Sequence, residues 1–164
     1  IDLGELLVGC AATVSARYRV DESVIELDLS DCRIKADRVD AVMIFRNLID
    51  NAVKYAGSPP QVQVASRVVG ETVIVEISDN GEGIPKGFRR KVFGRFFRLG
   101  AELQRKKPGT GLGLYIVRTL VKRLGGKVAV LDRDKRFGTV FEVRLPNAEA
   151  HHSIKKIKSI ESSS

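Results

Sequence analysis

Two glycine-rich segments and a pair of asparagines are the residues of this chain whose types and spacing could do chemistry. Residues 79–85 are Asp-Asn-Gly-Glu-Gly-Ile-Pro, and residues 109–114 are Gly-Thr-Gly-Leu-Gly-Leu. Asn47 and Asn51 precede both segments and are one helical turn apart. Spaced glycines let backbone come close to a flat ligand, and a glycine run that opens a helix leaves amide N–H groups free to meet phosphate oxygens. In this order and spacing, the residues predict a nucleotide pocket.

Asp79 gives the sharpest prediction in the first segment. An ionised carboxylate only accepts hydrogen bonds, so Asp79 can bind the exocyclic amine of adenine, whereas guanine would place a carbonyl oxygen there. This favours ATP over GTP. Gly81 and Gly83 would remove side chains where the purine edge approaches the backbone. The alternative is a purely structural β-turn, because Asp-Asn-Gly is a common turn sequence, but the second glycine segment favours the binding interpretation.

The second glycine segment lacks the signatures of the common phosphate loops. No Gly-Lys-Ser/Thr follows Gly109, which excludes a Walker A loop, and the Rossmann glycine spacing is also missing. Free N–H groups at the start of the next helix, together with the helix dipole, could instead hold the α- and β-phosphates. A flexible hinge before a helix is an alternative that is compatible with phosphate binding. The residues predicted to contact the phosphates are Gly109, Thr110, Gly111, Leu112 and Gly113.

Asn47 and Asn51 suit a magnesium ion held beside a triphosphate. Their amide oxygens are neutral, and Mg²⁺ keeps several waters and takes most of its charge compensation from the phosphates. Lys54, one turn further on, could neutralise phosphate charge, and Tyr55 could place its ring beside the base. Arg98 is the candidate for a γ-phosphate contact during transfer, although a neighbouring arginine could take that role. For Asn47, Asn51, Lys54 and Tyr55, the alternative is a polar helix surface that faces solvent.

Composition and charge are those of a globular domain. The chain has 164 residues, 43% hydrophobic and 29% charged, which is enough for one domain with its own core. No apolar run has the length of a membrane span or a signal peptide. Cys10 and Cys32 lack a metal-ligand spacing and are interpreted as reduced thiols.

The net charge of +8 is concentrated in residues 86–107, with nine basic side chains and one acidic. This suits a triphosphate better than a nucleic-acid face, and a solvated basic loop is the alternative.

Hydrophobic periodicity predicts the order of the secondary-structure elements. Residues 86–108 are expected to form short helical pieces and a mobile loop, and residues 147–164 a polar tail that is disordered or derived from an expression vector. The order predicts an α+β fold over residues 1–146: a two-layer sandwich in which about three helices cover one face of a mixed, mostly antiparallel sheet. The predicted helices are 3–17, 37–56 and 111–124, and the predicted strands are 24–29, 61–69, 72–78, 127–131 and 139–145.

Four motifs together resemble those of the sensor histidine kinases. Residues 47–55 (Asn-Leu-Ile-Asp-Asn-Ala-Val-Lys-Tyr) resemble the asparagine box, and residues 93–98 (Phe-Gly-Arg-Phe-Phe-Arg) the phenylalanine box. Residues 79–85 and 109–114 resemble the first and second glycine boxes. The resemblance spans residues 1–146 and implies the Bergerat fold shared with gyrase B, Hsp90 and MutL.

The resemblance also implies cofactors, partners and further site residues. It implies Mg-ATP as cofactor and an ATP lid across residues 86–110. It implies two partners, a histidine-bearing dimerisation domain of the same parent protein and the receiver domain of a response regulator, in a homodimeric parent. No nucleic-acid partner is expected. The residues added as nucleotide neighbours are Ile84, Phe96 and Thr139, and those expected to act in catalysis are Asn47, Lys54 and Arg98.

The histidines depart from the pattern of a complete kinase. The only two, His151 and His152, lie in the polar tail without a helical setting or an adjacent acid, and are interpreted as residues without a role. We therefore expect this chain to be the catalytic half of a larger kinase, unable to phosphorylate itself. The missing part would supply the acceptor histidine, the dimer interface and the sensor. The parent could be an inner-membrane sensor with this domain, itself without membrane contact, in the cytoplasm.

Three other functions are open. An ATP-sensing module without phosphotransfer has no feature in its favour, since every box is intact. An ATPase of the gyrase, Hsp90 or MutL type needs a catalytic acid on the asparagine-box helix, but Met43 occupies the position four residues before Asn47. Nucleic-acid binding ranks below both, because the basic charge lies in the expected lid. No general base is visible, and the resemblance places that residue beside the absent histidine.

Overall fold

The helices and strands lie close to their predicted positions. The computed structural model of the protein describes residues 1–97, 111–132 and 138–149. Every predicted helix and strand is present in this part, with ends that differ from the prediction by at most two residues. The elements are α1 (Leu3–Tyr18), β1 (Ile25–Leu29), α2 (Arg38–Tyr55), β2 (Val62–Val69), β3 (Thr72–Asp79), α3 (Gly113–Arg123), β4 (Lys127–Asp132) and β5 (Thr139–Pro146), with 3-10 turns at Glu22–Val24, Lys86–Phe88 and Lys91–Phe93.

The described strands form one mixed, mostly antiparallel sheet. Their order is β1-β2-β3-β5-β4, with β1 parallel to β2 and the other neighbours antiparallel. α2 packs against α1, α3 and the central strand β3, so the helices form a layer on one face. This arrangement confirms the predicted α+β fold.

α2 is the central helix of the core. It begins after Asp37, whose side chain accepts a hydrogen bond from the N–H of Val39 at 2.9 Å. Opposite its apolar stripe, β3 contributes Val73, Val75 and Ile77, all fully buried, as the alternation of β3 predicted. Because α2 is packed along its whole length, the side chains on its other face keep a defined position. The buried residues of α2 are Ala41, Ile44, Phe45, Leu48, Ile49, Ala52 and Val53.

α1 is attached to α2 through Asp50. The hydroxyl of Tyr18 donates to Oδ2 of Asp50 at 3.0 Å, and Nη1 of Arg17 donates to Oδ1 at 3.0 Å. Burial and the hydrogen bond to Asp50 raise the pKa of Tyr18 from 10.0 to about 12. Asp50 lies between Asn47 and Asn51 in the sequence, so this contact fixes the part of α2 that carries the asparagines.

We expect the Tyr18–Asp50 contact to set an alkaline limit to stability. A tyrosine whose pKa is raised by folding stabilises the fold fully below its unfolded pKa of 10.0, and this contribution is lost as the pH rises through about 12. The free energy of unfolding should therefore fall between pH 10 and 12, and fall less steeply in Tyr18→Phe. Urea unfolding followed by circular dichroism measures both slopes. Tyr115→Phe is the control, because the pKa of Tyr115 is lowered by its hydrogen bond with Arg95. Equal slopes for wild type and Tyr18→Phe would contradict the prediction.

The chain keeps contact with the domain after β5. The N–H of Asn147 donates to the carbonyl of Glu71 at 2.8 Å, and the N–H of Ala148 donates to the carbonyl of Arg33 at 3.0 Å. Glu149 lies 3.9 Å from Arg33 in an ion pair. Contacts thus extend three residues past the boundary expected at residue 146.

Two further expectations concern thiols and membranes. Cys10 and Cys32 are buried in the core as free cysteines. Burial raises the pKa of both thiols, which keeps them protonated. Within the three described ranges, no helix has the length and apolar character needed to cross a membrane.

Candidate functional site

Asp79 lies at the end of β3, on the face of the sheet that the helices cover. It is 2% exposed, and its Oδ1 accepts a hydrogen bond from the N–H of Gly81 at 2.8 Å. Thr139, also buried, pairs with Asp79 across β5, and Asp132 pairs with Thr139 across β4. Residues paired directly across a sheet share a face. Asp79, Thr139 and Asp132 therefore form one polar row across three neighbouring strands.

The glycines after Asp79 make close approaches to protein backbone. A Cβ at Gly81 would lie 2.0 Å from the carbonyl oxygen of Tyr55, and a Cβ at Gly83 would lie 2.9 Å from that of Gly138. Gly83 also has a φ of 81°, which residues with a side chain rarely adopt. Both glycines are therefore needed to seat residues 81–85 between the end of α2 and the start of β5. The approach of a purine to this backbone stays a prediction.

Asn80 ties the same loop to the connection between α2 and β2. Its Oδ1 accepts hydrogen bonds from the N–H groups of Gly57 at 2.8 Å and Gln61 at 3.0 Å, and its Nδ2 donates to the carbonyl of Pro59 at 2.9 Å. Sequence reasoning treated Asn80 only as part of a turn motif. The available signal was that an amide can accept and donate from one short side chain, which suits a connection without secondary structure.

We expect Asn80→Ala to lower the free energy of unfolding by about 2 kcal/mol, since three hydrogen bonds of roughly 1 kcal/mol each are lost and water replaces part of them. Asn80→Asp is the matched variant, because its oxygen still accepts from two N–H groups and only the bond donated to Pro59 is lost. Its loss of unfolding free energy should be about a third of that in Asn80→Ala, since one bond of three is removed. Urea denaturation measures both. A loss below about 0.5 kcal/mol in Asn80→Ala would mean that water replaces these bonds fully.

Asn47 directs its amide oxygen toward the start of α3. Its Nδ2 donates to the carbonyl of Met43, one turn earlier, at 2.7 Å, and this bond fixes which way the amide faces. Its Oδ1 lies 3.2 Å from the position that a Cβ of Gly113 would occupy. Glycine at position 113 makes room for this approach. The asparagine helix and the second glycine segment, which are far apart in the sequence, therefore meet here.

The start of α3 is suited to an anion. Leu112, at the N-cap position, makes no side-chain capping bond, and the first turn contains no acidic residue. The first N–H groups of a helix have no intrahelical partner and carry the positive end of the dipole. Gly111 has a φ of 73°, and a Cβ there would lie 2.8 Å from Cα of Phe96. Glycine at position 111 thus lets residue 96 approach the helix start.

Arg95 and Phe96 join the phenylalanine-box segment to α3. The N–H of Phe96 donates to the carbonyl of Gly111 at 3.0 Å, while Phe96 as a whole is 67% exposed. Nη2 of Arg95 donates to the hydroxyl of Tyr115 at 3.1 Å, with the guanidinium 4.9 Å from the ring centroid. Arg95 therefore places a positive charge at the first turn of α3. The sequence predicted this role for Arg98 or a neighbouring arginine and did not distinguish Arg95.

The remaining predicted site residues lie on α2, in the loop after β3, or outside the described ranges. Nζ of Lys54 lies 5.2 Å from the ring centroid of Tyr55, at the end of α2 where the Tyr55 carbonyl meets Gly81. Asn51 and Ile84 are half-buried. The predicted residues that lie outside the described residues are Arg98, Gly109 and Thr110, together with His151 and His152.

A known family and several known proteins are similar to this chain in sequence and in fold. A family model described as histidine kinase-, DNA gyrase B-, and HSP90-like ATPase matches residues 36–149. The chain is 30% identical over 147 residues to the alginate biosynthesis sensor protein KinB of Pseudomonas aeruginosa, covering 88% of this chain and 24% of KinB. Its structure resembles that of the mycobacterial sensor histidine kinase MprB, with a TM-score of 0.78 and 29% identity over 90% of this chain and 97% of that one. It also resembles full-length ShkA in complex with AMPPNP, with a TM-score of 0.73 and 28% identity over 90% of this chain and 30% of ShkA.

The chain belongs to the family of histidine kinase-, DNA gyrase B- and HSP90-like ATPases. Within it, the chain is an ATP-binding catalytic domain of the sensor histidine kinase type, as its four motifs predicted. The chain spans about a quarter or less of the length of the curated relatives it matches.

Proposed function

We propose that this domain binds Mg-ATP and donates the γ-phosphate to a histidine on a separate dimerisation domain. The observation that carries the proposal is the convergence of Asn47 Oδ1 with Gly113 at the uncapped start of α3. An ATP site needs a base pocket, a phosphate site and a ligand for the metal, and the described residues offer a candidate for each.

The base end of the nucleotide lies at Asp79. Its buried carboxylate receives the exocyclic amine of adenine, with Thr139 beside it on β5. Tyr55 and Ile84 border the base from the end of α2 and from the loop after β3. The complex of ShkA with AMPPNP, an adenine nucleotide, supports an adenine nucleotide as the ligand.

The phosphate end lies at the start of α3. The N–H groups of residues 111–113 hold phosphate oxygens, and Arg95, at the first turn of α3, offsets their charge. Lys54 contributes further positive charge from the end of α2. Arg98, Gly109 and Thr110 belong to the same proposal through their motifs. Catalysis consists of positioning and charge stabilisation, because phosphoryl transfer asks little covalent chemistry of the protein.

Magnesium would be held by Asn47 and Asn51. The hydrogen bond from Asn47 to the Met43 carbonyl turns the neutral oxygen of the amide outward, as a ligand for a hard cation requires. When bound, Mg²⁺ would neutralise charge on the phosphate oxygens. Asn47, Lys54 and Arg98 are the residues to which we assign the catalytic contribution, with Arg95 added from the geometry.

We further infer the setting of the parent protein from its relatives, which are sensor kinases. The parent would be a homodimeric kinase whose phosphohistidine passes its phosphoryl group to the receiver domain of a response regulator. The domain would work in the cytoplasm, where ATP is available, whether or not the parent is an inner-membrane sensor.

The test is phosphotransfer from labelled ATP. The domain is mixed with a separately produced, histidine-bearing dimerisation domain, ATP labelled at the γ-phosphate, and Mg²⁺. We expect an acid-labile, base-stable phosphoryl group on the dimerisation domain, and none when Mg²⁺ is chelated. ATP binding without transfer would indicate an ATP-sensing module, and release of inorganic phosphate without the second domain would indicate an ATPase.

A further inference from the structure

Arg89 lies in the basic segment 86–107, for which a solvated loop was the alternative to triphosphate binding, yet its side chain is mostly buried. The Arg89 side chain is 21% exposed, and its guanidinium group makes two contacts. Nε donates to the carbonyl of Ile84 at 3.2 Å, and Nη2 donates to Oδ1 of Asp132. The side chain therefore bridges the loop after β3 and the end of β4.

These contacts close a ring around the proposed base pocket. Asp132, Thr139 and Asp79 form the polar row across β4, β5 and β3. After Asp79 the chain continues through the loop to Ile84. The Arg89 side chain then connects the carbonyl of Ile84 to Asp132, which belongs to the same row. Opening the bridge removes the hydrogen bond that holds the carbonyl of Ile84, near the end of this loop.

The two contacts of Arg89 contribute unequally to holding the loop. The Asp132 side chain is 69% exposed, and ion pairs with one exposed partner contribute little. The bond to the Ile84 carbonyl is partly buried and acts on the loop itself. Only arginine can serve both acceptors from one rigid plane, because a lysine has a single nitrogen.

We propose that Arg89 is a positioning residue of the nucleotide site. It holds residues 81–85 at the distance from Asp79 and Thr139 that an adenine base requires. The inference rests on the proposed ATP site. Arg89 acts through the loop and touches no phosphate, so its effect is the same for every nucleotide with an adenine base.

The test compares the affinities of ATP and ADP by titration calorimetry in four variants. Arg89→Met should weaken both nucleotides by about tenfold, the value of one charge-assisted hydrogen bond. Asp132→Asn should weaken both by about twofold, and the double variant should match Arg89→Met, because the two residues act as one unit. Arg90→Met, at the exposed neighbouring arginine, is the control and should stay within about twofold of wild type.

Hydrogen exchange separates positioning from general stabilisation. In the nucleotide-free protein, Arg89→Met should speed exchange of the amides of residues 81–84 and leave those of Ile44, Phe45 and Leu48 in the core of α2 unchanged. An unchanged affinity in Arg89→Met, or faster exchange throughout the domain, would overturn the inference. So would a loss for ATP that is absent for ADP, since that would make Arg89 a γ-phosphate contact. Failure of the wild type to bind ATP would refute the proposed function instead, while the exchange experiment would still test the bridge.

Discussion

Asp79→Asn should weaken ATP binding by about a hundredfold, equivalent to roughly 2.7 kcal/mol. The N–H of Gly81 donates to Oδ1 of Asp79 in the present structure, so in the variant it selects the amide oxygen for that position. The NH₂ group is then left facing the exocyclic amine of adenine, and two donors meet in a buried site. The fold should be preserved, because the bond to Gly81 survives.

Calorimetric titration of wild type and variant with ATP and GTP tests this expectation. The wild type should prefer ATP, and Asp79→Asn should lose most of that preference, because the amide no longer presents only acceptors. Asp28→Asn, on the edge strand β1, is the matched control and should bind as the wild type does. Equal affinity of the wild type for the two triphosphates would falsify the role assigned to Asp79.

The fold could be predicted because its main signals are local. The apolar stripe of α2 repeats along one helix face, and Val73, Val75 and Ile77 alternate within one strand. Both patterns can be detected within a window of about 18 residues or fewer. The order of the elements then left few ways to cover one face of the sheet with helices.

The contacts that hold the site could not be predicted in the same way. The position of Asp132 beside Thr139 depends on the register of β4 against β5, which alternation alone does not fix. The bridge from Arg89 to Asp132 needs that register and the path of the loop as well. The same holds for Asn80, whose three partners belong to a connection without periodicity. Motifs identified the residues with candidate chemistry, and long-range packing decided which others position them.

Gly81 shows that one residue of a motif can serve both ligand binding and long-range packing. The sequence predicted that Gly81 lacks a side chain so that a purine can approach the backbone. The structure places the Tyr55 carbonyl oxygen 2.0 Å from a hypothetical Cβ, so the fold alone already requires glycine. A glycine in a binding motif can therefore report packing as well as ligand contact.

Asn47→Ala should reduce phosphotransfer by about a hundredfold to a thousandfold, the range found when one preorganised group that stabilises transition-state charge is removed. The reason is the orientation of the amide: Met43 accepts from Nδ2, which leaves Oδ1 beside Gly113 and the start of α3. Alanine removes that oxygen but leaves the N–H groups of α3 and the carboxylate of Asp79 in place. Affinity for ATP in the presence of a chelator should therefore stay within about threefold of wild type.

The rate of phosphotransfer measured against Mg²⁺ concentration, at saturating ATP, separates metal binding from nucleotide binding. Asn47→Asp keeps an oxygen but cannot donate to the Met43 carbonyl, so we expect an intermediate loss of about tenfold. Arg46→Ala, exposed on the same helix, should leave the curve unchanged. An unaltered Mg²⁺ dependence in Asn47→Ala would mean that the metal is held elsewhere, and the meeting of Asn47 with Gly113 would then serve only to pack α2 against α3.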